Sequence, residues 1–309
     1  MKMTHDKAER SLAAKGDDTT SLIERAAQKL SEAGRAPPTA QAVERSGPAM
    51  QTVRRGQEQA SQHLTIDFEH LASEGYLTPE TMRSRLAEEI RLVKRSVVQT
   101  FWYQDVENAN LIMVSSAFPG EGKSFTALNL AISLACEVDF HVLLVDADFE
   151  RPALFSRLGL GARPGLMDIL KDSTKDLSEV LYRTNIGHLS IIGPGRPDAM
   201  SPELLGSQRM QSLAKEMAQR YPDRMIIFDS PPLLSSSEPA VLAEHVGQVL
   251  FVVEADVTPK EMIVSALERL PDNCAVGMVL NKGRSWRGTN QYPYYGYRKY
   301  RTPDADSDS

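Results

Sequence analysis

The sequence predicts an α/β fold, a mainly parallel sheet with helices on both faces. Three observations predict it. Short apolar runs of strand length recur at Leu111–Val114, His141–Val145, His188–Ile192, Met225–Phe228, Val249–Val253 and Ala275–Leu280. Segments with helical spacing or capping signals fall between them, and that alternation is the pattern of parallel strands joined by helical crossovers. The first of these runs also passes through a Pro/Gly-rich turn straight into a helical segment, which is the local order of a phosphate-binding loop.

That stretch reads LIMVSSAFPGEGKSFTALNLA from Leu111 to Ala131. Backbone N–H groups of Pro119-Gly120-Glu121-Gly122-Lys123-Ser124-Phe125, proline excepted, would point at a polyphosphate, and the helix N-terminus adds partial positive charge. Lys123 would reach the terminal phosphates and Ser124 would take one position on Mg²⁺. Ala117 stands where the motif has its first glycine, so the turn there must be one that an L-residue can adopt.

The second strand ends in Asp146-Ala147-Asp148-Phe149-Glu150-Arg151-Pro152. Two carboxylates at the carboxyl end of a buried strand are costly unless a cation faces them, and ligands of open α/β sheets bind at that end. Met225 to Phe228 ends in Asp229-Ser230-Pro231-Pro232, the pattern of a magnesium-holding carboxylate after an apolar strand. Lys123, Asp146, Asp148 and Asp229 are therefore the expected catalytic set, with Ser124, Asp148 and Asp229 on Mg²⁺ and ATP as the nucleotide. Asn281, at the end of the last strand, could bond a nucleotide base or cap a turn.

The remainder divides by composition. Residues 1–60 are polar and rich in Ala, Gln and Gly, and bury too little apolar area to offset their ordering entropy. One island within them, near 21–33, has helical spacing in Leu22, Ile23, Ala26, Ala27 and Leu30. It reads as a helix that docks on a partner or on the body, or as a transient one. Residues 61–283 form the catalytic domain. Ile66, Phe68 and Leu71 are expected to pack, and a long helix should start at Thr78-Pro79 and bury Met82, Leu86, Ile90, Val93, Val97 and Phe101. Its polar face carries Arg83, Glu88, Arg91, Lys94 and Arg95, with Glu88 and Arg91 paired along the helix. Residues 284–309 form a flexible tail crowded with Tyr292, Tyr294, Tyr295, Tyr297 and Tyr300. Such tyrosines could form core, stack on single-stranded nucleic acid, or serve as phosphoryl acceptors.

Bulk properties narrow the classes. A net charge of -6 argues against general nucleic-acid binding. Cys136 and Cys274 are too few for a disulfide framework and read as small buried hydrophobes in a reducing cytoplasm. No apolar run approaches the ~18–20 residues that cross a bilayer, so work at a membrane would depend on a partner.

These motifs together resemble those of the bacterial tyrosine kinases, the P-loop autokinases that regulate capsule and exopolysaccharide export. The likeness runs from about Leu64 to Tyr300. Ala117 with Pro119 to Ser124 corresponds to their Walker A, Val145 to Asp148 to their Walker A′, and Phe228 to Pro232 to their Walker B. Glu88, Arg91 and Lys94 fall on their E-x-x-R-x-x-R assembly motif, with Lys94 in place of the last Arg and without its bidentate fork. Glu150 stands where the family usually has Arg, with Arg151 next to it. Glu88-Glu89-Ile90-Arg91 with Lys94-Arg95, and Tyr294-Tyr295-Gly296-Tyr297, resemble the subgroup associated with exosortase-type exopolysaccharide systems.

The resemblance implies a deviant-Walker, MinD-like P-loop NTPase architecture and an ATP-dependent tyrosine autokinase. Its tail would enter a neighbouring subunit's site within a ring-like homo-oligomer. A tyrosine hydroxyl, with pKa ~10, needs a base at attack. Asp146 or Asp148 could serve, and the resemblance favours Asp146. It implies as partners a membrane-embedded polysaccharide co-polymerase that activates the kinase, and a tyrosine phosphatase. The expected location is cytoplasmic, held at the inner membrane through that partner. The alternative is a MinD/ParA-like switch ATPase. That class carries an additional Lys near the start of its P-loop, where Phe118 stands here. A third class is a scaffold that binds ATP for assembly only.

Overall fold

The computed structural model describes residues 62–283 apart from 104, 197 and 221–223, all within one unit spanning 57–309. The expected helix near 21–33, the N-terminal extension and the tyrosines of the tail lie outside the described residues.

The elements run as β1 (Gln62–Leu64), α1 (Phe68–Ser73), a 3-10 turn (Pro79–Thr81), α2 (Arg85–Tyr103), β2 (Leu111–Ser116), α3 (Lys123–Ala135), β3 (His141–Asp146), α4 (Leu154–Arg157) and α5 (Leu166–Lys171). After a second 3-10 turn (Leu177–Glu179) come β4 (Tyr182–Thr184), β5 (Leu189–Ile192), α6 (Ser201–Leu205), α7 (Gln208–Arg220), β6 (Arg224–Asp229), α8 (Glu238–Ala243), β7 (Gln248–Glu254), α9 (Lys260–Leu267) and β8 (Ala275–Asn281).

One eight-stranded sheet has the order β1-β4-β5-β3-β6-β2-β7-β8. From β5 to β8 every neighbouring pair is parallel; β4 runs antiparallel to β5, and β1 runs parallel to β4. The period of two along each strand sorts the core into two layers. Ile112, Val114, Val142 and Leu144 face α2 and α3, where Ile90, Val97, Leu128 and Ile132 are buried. Leu111, Met113, Leu143 and Val145 face the other way, onto Leu166, Met210, Leu213 and Leu242 of α5, α7 and α8. Burying each large aliphatic side chain contributes about 2 kcal/mol, so register is strongly fixed. The expected fold class, with helices on both faces, is the one observed.

Several local expectations need correction. The helix expected from Pro79 is broken: a 3-10 turn ends at Thr81 and α2 restarts at Arg85, where the Ser84 hydroxyl accepts from Ala87 N–H at 3.2 Å. A side chain that can cap therefore ends one segment and begins the next. Lys94 is buried rather than solvated, and its ammonium is paired with Glu137 beyond the end of α3. Glu88 and Arg91 are paired, as expected. Cys136 is exposed at the C-cap of α3, because the helix ends there and turns outward, and Cys274 is half-buried with its thiol on the Pro271 carbonyl at 3.3 Å.

Side-chain amides fasten the N-terminal segment to this core. Asn185 accepts from Ile66 N–H at 2.8 Å and donates to Ile66 C=O at 3.0 Å. Asn129, fully buried in α3, accepts from Leu77 N–H at 2.7 Å. Tyr76 is thereby held beside the first turn of α3, with its ring centroid 5.2 Å from that of Phe125. No helix among the described residues is long and apolar enough to cross a membrane.

Candidate active site

Three adjacent strands deliver the site. β2, β6 and β3 lie side by side, and their carboxyl ends lead into the phosphate loop, Asp229 and Asp146. The register sets Asp146 directly opposite Asp229.

The loop is built from backbone conformations that its sequence permits. Gly120 and Gly122 have φ of 91° and 103°, the left-handed region that glycine adopts without strain. A Cβ on Gly122 would also lie 2.0 Å from Asn281 Nδ2. Ala117 is outside that region and fully buried with Leu233 and Phe251, so this turn needs no glycine there. Glu121, almost wholly buried, accepts from Phe118 N–H at 2.8 Å and from the Thr258 hydroxyl. Asn281 donates to the Glu121 carbonyl at 2.8 Å, and Lys282 donates to the Gly120 carbonyl at 2.8 Å. The end of β8 thus braces the loop from one side. That use of Asn281 Nδ2 leaves its side-chain oxygen for any base contact.

Lys123 stands at the start of α3 and is buried. Its ammonium donates to Asp148 Oδ2 at 2.5 Å and lies 3.8 Å from Asp229 Oδ1. Asp146 sits beneath, fully buried, accepting from Asp148 N–H at 3.3 Å and Leu154 N–H at 3.2 Å. The structure therefore brings together Lys123, Ser124, Asp146, Asp148 and Asp229.

The electrostatics of this cluster are unbalanced. Burial would lower the Lys123 ammonium, but Asp229, Asp148 and Asp146 outweigh it and hold its pKa above the ordinary value. Burial, reinforced by Asp229, pushes Asp146 well above the usual carboxylate range. Burial also raises Asp229, against the opposing charge of Lys123 and the nearby Ser124 hydroxyl. Ser124 favours the anion without hydrogen-bond geometry: neither oxygen of Asp229 accepts a hydrogen bond among the described residues. Three buried carboxylates facing one ammonium are short of positive charge.

That deficit is the fit test for a divalent cation, and the residues pass it. Asp229 offers two oxygens that accept no hydrogen bond among the described residues, with Ser124 and Asp148 nearby. Among the described residues no three His, Cys, Asp or Glu side chains form a ready-made metal cage. Above the cluster opens a cleft of about 270 Å³, lined by the phosphate loop, by Asp148, Glu150, Arg151, Ala153 and Arg157, and by Pro232 and Ser235. Arg157 in that wall was missed in the sequence, because no motif marks it.

Glu88, Arg91 and Lys94 lie away from this cleft, beside a shallow surface depression with Glu137 and Phe140.

No family model matches the chain. Tyrosine-protein kinase YwqD of Bacillus subtilis is 33% identical over 187 residues, covering 60% of this chain and 77% of that protein. Tyrosine-protein kinase wzc of Salmonella typhimurium is 28% identical over 193 residues, 62% of this chain but 26% of the relative. The solved kinase domain of the Escherichia coli tyrosine kinase ETK superposes with a TM-score of 0.60 at 25% identity, over 75% of this chain and 92% of that domain. Sequence, fold and site geometry agree: the chain belongs to the bacterial tyrosine-protein kinases.

Proposed function

We propose that the chain is an ATP-dependent tyrosine autokinase that phosphorylates its own C-terminal cluster, Tyr292 to Tyr300, in a neighbouring copy. The observation that supports it best is the Lys123 ammonium in the cleft, set between Asp148 and the buried Asp229 carboxylate, which accepts no hydrogen bond among the described residues. In this reading backbone N–H groups from Gly120 to Phe125 bind the phosphates. Lys123 leaves Asp148 to neutralise charge that develops on the terminal phosphoryl. Ser124, Asp148 and Asp229 would hold Mg²⁺, which supplies positive charge to the phosphate oxygens. Burial, with Asp229 beside it, holds Asp146 above the usual carboxylate range, and Asp148 lines the cleft; the tyrosine proton would pass to one of these two.

Each phosphate would add ~1.5 to 2 negative charges to the tail. We take this to loosen a ring built through Glu88, Arg91 and Lys94, reset by a tyrosine phosphatase. Cycling between the two states would regulate exopolysaccharide assembly, with a membrane-embedded co-polymerase as activator and anchor of a cytoplasmic kinase.

The test is incubation of the purified full chain with Mg-ATP and mapping of phosphotyrosine by mass spectrometry. Phosphate on the tail, absent in Lys123→Met, is the expected result. ATP hydrolysis without phosphotyrosine would instead mark a switch ATPase, and nucleotide binding without either reaction a scaffold.

A further inference from the structure

The cleft wall on the β3 side carries a cation that the motifs do not include. Arg157 ends the short helix α4, and its Nη1 donates to Tyr76 Oη at 2.7 Å. Among the described residues no carboxylate lies within ion-pair distance of it. A guanidinium has five N–H donors, and a single phenol oxygen leaves most of them unspent. Burial holds the Tyr76 phenol above its ordinary pKa, against the opposing charge of Arg157. The hydroxyl therefore accepts as a neutral group and leaves the charge of Arg157 intact. That charge reaches into the site, where it favours the Asp229 anion against the larger effect of burial.

The position of Arg157 along the cleft selects what it would touch. Asn281 and the end of β8 flank the phosphate loop on one side. The order β3-β6-β2-β7-β8 places α4, which follows β3, on the opposite side, with Asp148 and Asp229 between. A nucleotide with its base on the β8 side, where Asn281 stands, would extend its phosphates toward β3 and Arg157. Tyr76 is an anchor of unusual rigidity for such a side chain. It is almost wholly buried, its ring lies against Phe125, and the next residue is bonded through its N–H to Asn129.

We propose that Arg157 is a further phosphate-binding residue of this site, specific for the terminal phosphoryl of a nucleoside triphosphate and held ready by the Tyr76 hydroxyl. The proposal rests on the cleft's being a nucleotide site. It assigns a function to a Tyr–Arg pair that lies outside the three phosphate and carboxylate motifs.

The experiment compares binding of Mg-ADP and of a non-hydrolysable Mg-ATP analogue by calorimetry, in the unaltered full chain and in Arg157→Gln, Arg157→Lys and Tyr76→Phe. Loss of a charge-assisted bond to phosphate should weaken the analogue about tenfold in Arg157→Gln while ADP changes less than about twofold. Arg157→Lys should recover part of the loss, since it restores charge without the fork. Tyr76→Phe keeps the ring packing and should fall in between. Equal weakening of both nucleotides, or none, would overturn the assignment; so would a lowered melting temperature that tracks both affinities, which marks Arg157 as structural only. Failure of the unaltered chain to bind either nucleotide would remove the nucleotide reading itself.

Discussion

Asp229 is a residue that the folded chain holds at a cost. Both of its oxygens are buried without a hydrogen bond among the described residues, and Asp146 faces it across the sheet. Burial raises the pKa of both carboxyls, so the folded state disfavours their charged forms. Asp229→Asn keeps the shape and removes the charge. Without Mg²⁺ and nucleotide this variant should be more stable than the unaltered chain, by about 1–3 kcal/mol if a buried unpaired group is relieved. It should also lose the stabilisation that Mg-nucleotide gives and make no phosphotyrosine. Thermal melting with and without Mg-nucleotide measures the first two effects and phosphotyrosine mapping the third, and a variant less stable than its parent would show that the charge is already compensated. Lys123, Asp148 and Asp229 were legible in the sequence because each sits at a fixed place in a strand-loop pattern. Tyr76 and Arg157 were not, because their meeting depends on packing between segments some eighty positions apart, which no local spacing encodes.

At the scale of elements, the same distinction separates what periodicity carries from what it does not. The strands β2, β3, β5, β6, β7 and β8 are apolar runs and were readable within a residue or two. The short β1 and β4 were not, because three-residue strands at a sheet edge have no period to detect. The break before α2 was hidden by apolar residues that keep helical spacing across Met82 to Ser84. Two of the ion pairs on α2 have different consequences. Lys94 with Glu137 ties α2 to the end of α3, with the lysine side chain only 11% exposed. Arg91 with Glu88 is a surface pair, 41% and 66% exposed. Lys94→Ala should lower the stability by about 1–2 kcal/mol, since it leaves a half-exposed carboxylate beside a vacated apolar slot. Arg91→Ala should change it by less than about 0.5 kcal/mol. Urea midpoints decide this. Oligomer mass measured on the same two variants then separates a role in assembly from a role in the fold, and unchanged stability in Lys94→Ala would return Lys94 to the surface motif.

For the whole molecule, the parallel order of the sheet determines where chemistry can occur. Three neighbouring strands end together, and their loops meet at one edge of the barrier that the core forms between its two helical layers. The fold was legible because strand and helix signals alternate regularly from Leu111 onward. The antiparallel edge was not, since β1 precedes the phosphate loop in the chain and joins the sheet through β4, more than a hundred residues later. The far edge has its own consequence. Lys282, with φ of 57°, donates to the Gly120 carbonyl and to Glu254 Oε2, at 2.8 and 2.9 Å. Lys282→Met should therefore loosen the phosphate loop and speed nucleotide dissociation by a few-fold, about the effect of one exposed charged hydrogen bond. Stopped-flow release of a fluorescent nucleotide tests it, and an unchanged rate would show that Asn281 alone suffices.

The phosphate loop and the strand that leads out of the fold share a fastening. Asn281 and Lys282 grip the loop's carbonyls, and Gly283 follows at once, so the chain that continues toward the tyrosines leaves the fold from a strand end bonded to the phosphate loop. Tension applied to that end would be felt first by the cradle rather than by the core.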